Sequence, residues 1–183
     1  NKSEAINISR KLASLSTRRN QIGIDAIRHM TLINLLEPIS QNGLERCIEL
    51  LRSNSSSEPI DFLRVFALLY TKTKNPSKQS FIISQCSSMF NLDDKGELLI
   101  LSNWLGKLGA FEYLIHYVPA SKAKVDEDLF KLRMSALARL GDTERISQEL
   151  NDAPIIPLIW RLVVEARSLS MSNRFDEARK TID

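Results

Sequence analysis

An all-α stack of antiparallel helix pairs is the fold class that the sequence predicts, and three observations carry it. Apolar residues recur at three- and four-residue intervals instead of alternating, which is helical and not strand periodicity. The 183-residue chain holds only six glycines and six prolines, too few to break it into short strands and turns. Turn-forming residues mark it at one period: Asn42, Asn75, Gly109, Gly141 and Asn173, with separations by subtraction of 33, 34, 32 and 32. Gly and Asn tolerate best the left-handed backbone that ends a helix, so a helix is expected to close at each mark.

The elements follow in order. Residues 3–18, with Ile6, Ile8, Leu12 and Leu15 at helical spacing, read as one helix, and residues 1–20 are taken as the remainder of an earlier pair. The solenoid then covers 21–183 in about five units, at 22–53, 59–90, 93–118, 124–151 and 155–183. Longer first helices are expected at about 22–40, 59–74, 93–108, 124–140 and 155–172. Shorter second helices are expected at about 43–53, 76–90, 110–118, 142–151 and 174–182. The breaks between units fall at Ser53 to Pro59, Asn91 to Asp94, Pro119 to Lys122 and Asp152 to Pro154. Glu58, Asp61, Asp93, Asp94 and the run Asp126 to Asp128 are placed in first turns, where carboxylates meet the positive end of the helix dipole.

Composition narrows the function classes. A 43% hydrophobic content fits a folded chain, and a net charge of +3, dispersed along it, makes no nucleic-acid footprint. Cys47 and Cys86 stand far apart on apolar helical stretches and read as buried free thiols, which leans toward a reducing, cytoplasmic setting. No apolar run is long enough to span a membrane. The chain opens on Asn1 instead of Met, so a fragment of a larger protein is expected. Asn7-Ile8-Ser9 and Asn54-Ser55-Ser56 match the glycosylation pattern, a match that short sequences make often by chance.

The last unit carries a family resemblance. Ala166 and Leu169 occupy the small and large packing places of its first helix, followed by Asn173-Arg174-Phe175-Asp176-Glu177-Ala178. Together with Gly109-Ala110-Phe111-Glu112 and Gly141-Asp142-Thr143-Glu144, this pattern resembles the tetratricopeptide repeat family, built of helix-turn-helix units of about 34 residues. The resemblance implies a right-handed superhelical solenoid whose concave face, lined mainly by first helices, binds a peptide or partner helix. It implies no catalysis.

Site chemistry is sparse. His29, Cys47, Cys86 and His116 share no metal-ligand spacing, and no phosphate-binding loop or nucleophile elbow appears, so no metal, cofactor or catalytic residue is expected. Trp104, Phe111, Phe130 and Trp160 read as core, and Met134 and Met171 as gap fillers. Counting back two, six or ten residues from the turn marks reaches the expected concave face, at Asn103, Lys107, Lys131, Ser135, Arg139 and Arg167. This polar, mostly basic stripe would attract acidic groups of a protein or peptide. A non-catalytic interaction scaffold is therefore expected. A structural or oligomerisation module of a larger enzyme or membrane-anchored assembly factor is the alternative, and single-strand RNA binding by helical repeats the third.

Overall fold

In the computed structural model the described residues are 21–33, 39–152 and 157–182, together with Glu4, Asn7, Ile8 and Lys11. Most of the helix expected over 3–18 lies outside them, as do residues 34–38 and 153–156. Regular structure among the described residues is entirely helical, and the chain divides into two compact units, Asn1–Phe90 and Asn91–Asp183.

In the first unit α1 spans Gln21–Ile33, α2 Gln41–Ser53, α3 Pro59–Lys72 and α4 Pro76–Ser87. Helix α3 is the hub, with α1, α2 and α4 all packed on it. Ile24, Leu44, Leu51, Val65 and Ile83 are fully buried there, each worth about 1.5–3 kcal/mol of transfer from water. Asp61 does more than face a helix dipole. It accepts the amide of Glu58 at 3.1 Å, capping α3, and its buried carboxylate takes the Nε and Nη2 of Arg28 on α1 at 2.6 and 2.9 Å. That hydrogen bond, with the Coulomb attraction of Asp61, raises the Arg28 pKa against the opposing effect of burial.

Two turn marks act differently from expectation. Asn42 lies inside α2, because Ser40 caps that helix by accepting the amide of Gly43 and starts it at Gln41. Asn75 has an extended φ of −87° and opens α4, its side chain accepting the amide of Lys78 ahead of Pro76. Asparagine serves both ends of helices, so the same residue type that can close one helix here begins the next. Asn54, in one glycosylation-like match, is buried at the end of α2, where its side-chain oxygen holds the amide of Ser56.

The second unit comprises α5 (Lys95–Leu108), α6 (Phe111–Tyr117), α7 (Ala120–Ala123), α8 (Glu127–Leu140), α9 (Thr143–Asn151), α10 (Leu158–Met171) and α11 (Phe175–Ile182). Here the marks close helices: Gly109, Gly141 and Asn173 hold left-handed φ of 73°, 74° and 61°. Asp94 and Asp126 were expected inside first turns but are the caps themselves, accepting the amides of Glu97 and of Asp128 and Leu129. The helices accordingly begin later than expected, at Lys95 and Glu127. The Pro119 to Lys122 break holds the short helix α7, whose packing on α8 buries Ala123.

Packing in this unit runs between helices close in sequence. First helices touch in series, α5 on α8 and α8 on α10, while the second helices α6 and α9 each lie on their own first helix and on the next one, and α11 lies on α10. Leu101, Leu105, Phe130, Met134 and Leu137 form the buried centre. One ion pair crosses it. Arg133 of α8 gives Nε and Nη2 to the two oxygens of Glu149 on α9, both at 2.7 Å, and its Nη1 to the carbonyls of Ile115 and Val118 at 3.0 and 2.7 Å. The guanidinium thus ties the end of α6 to α8 and α9. Cys47 and Cys86, both in the first unit, are buried and form no disulfide, and burial pushes the Cys86 thiol up to about 12, leaving it unreactive.

Candidate partner-binding site

The side chains of α8 at four-residue intervals, Lys131, Ser135 and Arg139, form one row, since residues i and i+4 lie above one another on a helix. Opposite them α10 presents Trp160, Val164 and Arg167 at four- and three-residue spacing, which also keeps one face of a helix. Because α8 and α10 pack together, the two rows enclose a groove of about 130 Å³, with Met134 and Ala138 among its lining. Four of the six expected residues, Lys131, Ser135, Arg139 and Arg167, meet in this groove. Asn103 and Lys107 do not. Both are exposed on α5, and the Asn103 amide is turned back to donate to the Leu99 carbonyl at 2.9 Å.

The four groove residues differ in availability. Lys131 is held by Glu127 one turn earlier at 2.5 Å, which raises its pKa, and its ammonium sits 6.0 Å from the centre of the Trp160 ring. Arg139 and Arg167 are exposed and make no ion pair among the described residues. Ser135 is exposed beside them. An apolar floor with two uncommitted guanidinium groups can hold a carboxylate bidentately while an adjoining aliphatic group leaves water.

Trp160 and Met171 depart from the core reading. Trp160 is half-buried, tilted against Phe130 at 6.1 Å between centroids, and its remaining face walls the groove. Met171 is 42% exposed at the groove's end. Phe111 is also only half-buried, whereas Trp104, Phe130 and Met134 are core. Projecting α10 as well as α8 onto the same helical wheel would have placed Trp160 beside the stripe. The run Asp126 to Asp128 is used by the structure: Asp126 caps α8 and pairs with Lys95, and Glu127 holds Lys131.

Among the larger grooves that sequence reasoning missed, two lie between second helices over the first helix that separates them. In the first unit a groove of about 410 Å³ lies between α2 and α4 over α3, with Phe81 65% exposed at its edge. In the second, one of about 620 Å³ lies between α9 and α11 over α10. Among the described residues no group of His, Cys, Asp and Glu could hold a metal, and no helix is long and apolar enough to cross a membrane. No family model, curated protein or solved structure matches the chain.

Proposed function

We propose that the chain is a non-catalytic protein-interaction scaffold, a tetratricopeptide-like right-handed solenoid of helix pairs that binds an acidic peptide segment of a partner on its first-helix face. The observation that carries this reading is the α8–α10 groove, where Arg139 and Arg167 stand uncommitted over an apolar floor beside Trp160. A groove of about 130 Å³ takes side chains of an extended peptide, not a whole helix. An acidic side chain or a terminal carboxylate seats between the two arginines, and a neighbouring aliphatic group rests on Trp160 and Met134. Each charge-assisted hydrogen bond contributes about 1.5–3 kcal/mol when well desolvated. The test is affinity capture from the cell of origin with wild type and with the Arg139→Glu, Arg167→Glu double variant, after circular dichroism shows both folded. Selective loss of a partner from the variant supports the reading; identical recovery removes it.

A second reading, that of a structural or assembly module, draws on a different observation. Ile159 and Val163 on α10, and Phe175 and Ile182 seven residues apart on α11, are 77%, 52%, 63% and 67% exposed. An apolar surface of this kind marks association more often than solubility. Sedimentation of wild type against Ile159→Lys with Phe175→Lys separates the readings: concentration-dependent assembly lost in the variant favours the module, and a monomer throughout removes it.

A further inference from the structure

The groove between α9 and α11 has a chemistry opposite to that of the α8–α10 groove. Its floor is the side of α10 that carries Glu165 and Ser168, three residues apart and therefore neighbours on the helix surface. Ser168 is 2% exposed and its hydroxyl finds no hydrogen-bond partner. A buried serine in a helix ordinarily satisfies itself on the carbonyl four residues back, as Ser102 does at 2.7 Å on Leu98, so the orphaned hydroxyl of a residue that lines a groove can satisfy itself by turning toward a polar group seated there. Glu165 is half-buried and forms no ion pair among the described residues.

The charges on the rim decide which polar group fits. On α11, Arg174 is spent on Glu177 through two bonds of 2.8 and 2.5 Å. That leaves Glu144 of α9 and Glu165 of α10 against Lys180, a net negative site at neutral pH. A carboxylate with a neighbouring hydroxyl acceptor suits a planar donor fork, which a guanidinium supplies with its five N–H groups. A volume of about 620 Å³ holds the rest of a short peptide around it.

We propose that this groove is a second binding site, separate from the first-helix face, which takes an arginine side chain of a partner peptide on Glu165 and Ser168. Glu165 accepts the guanidinium as a charge pair, Glu144 draws it in from the rim, and the Ser168 hydroxyl, turned toward the groove, accepts a further N–H. The site does not depend on the acidic-peptide reading of the α8–α10 groove.

The probe is a fluorescein-labelled hexapeptide of glycine and serine around one arginine, compared with the same peptide carrying citrulline, the uncharged isostere. Anisotropy titration of the full chain is expected to favour the arginine peptide by roughly tenfold or more, as a desolvated charge-assisted bond implies. Glu165→Gln is expected to abolish that preference. Ser168→Ala is expected to weaken arginine binding about threefold while leaving thermal stability equal or higher, because it removes an unsatisfied group. Equal affinity for the two peptides, a preference that survives Glu165→Gln, or no saturation at millimolar chain would overturn the proposal. So would arginine binding unchanged in Ser168→Ala, which would mean that the hydroxyl merely turns back to its own helix. Since Arg139 and Arg167 are absent from this groove, their glutamate variants are expected to keep the arginine preference; its loss there would place the peptide on the other face.

Discussion

Removing the Glu149 carboxylate should be among the most costly side-chain changes in the second unit. The side chains of Arg133 and Glu149 are 6% and 10% exposed, so neither charge has water to fall back on. In Glu149→Ala the guanidinium keeps the Ile115 and Val118 carbonyls but loses both partners at 2.7 Å. Breaking a buried pair from one side costs about 3–5 kcal/mol, because the surviving charge stays buried and uncompensated. Arg133→Met should cost a similar amount, stranding the carboxylate and two carbonyls. Replacing both by methionine removes both charges and leaves chiefly the two carbonyls unmet, about 1–3 kcal/mol. The double variant is therefore expected to be more stable than either single one. Urea unfolding followed by tryptophan emission is the assay, since both tryptophans, Trp104 and Trp160, lie in the second unit and report on it selectively. A Glu149→Ala cost below about 1 kcal/mol, or single costs that add in the double variant, would refute the reasoning.

Three further outcomes follow from the geometry. Gly141→Ala should lose about 1 kcal/mol in the same assay: nothing lies within 4 Å of the added carbon, so the cost is that of a φ of 74° alone. Burial raises the Asp126 pKa, but the Lys95 hydrogen bond, the Leu129 and Asp128 amides and the Lys95 charge outweigh it and hold the group below its ordinary value. Its folded pKa being depressed, its stabilisation is complete above the unfolded value of about 3.9 and is lost as pH falls through the folded one. Asp126→Asn, which keeps the cap, should therefore flatten the acid limb of stability measured by urea midpoints between about pH 7 and pH 2. Arg28→Met should destabilise the first unit by leaving the buried Asp61 carboxylate without its partner, seen as a lower circular-dichroism midpoint while the tryptophan transition of the second unit keeps its own.

The helices were legible because their signals are local. Residues at three- and four-residue spacing and the Gly marks before α6 and α9 placed α8 at 127–140 against an expected 124–140, and α9 at 143–151 against 142–151. Where one residue type serves two roles the reading slipped, as at Asn42 and Asn75, because capping depends on which amide lies within reach of the side chain. The convergence of Lys131, Ser135, Arg139 and Arg167 followed from periodicity along two helices. Trp160 lies seven residues before Arg167 and so on the same face of α10, but its apolar neighbours made it read as core. The Arg133–Glu149 pair and the orphaned Ser168 were not legible at all, since 16 residues separate the first pair and the second is defined by a bond that is not made.

The central claim is that a partner is held on the α8–α10 groove, and the indole N–H signals of the two tryptophans test it most directly. Trp160 walls that groove, whereas Trp104 is 7% exposed in α5 and serves as an internal reference. With the captured partner, or its acidic segment as a peptide, titrated into the ¹⁵N-labelled chain, the account predicts a saturable shift of the Trp160 indole signal while that of Trp104 stays in place, and loss of both shift and binding in the Arg139→Glu, Arg167→Glu variant. Saturable binding that leaves the Trp160 signal unmoved and survives the two reversals would contradict it.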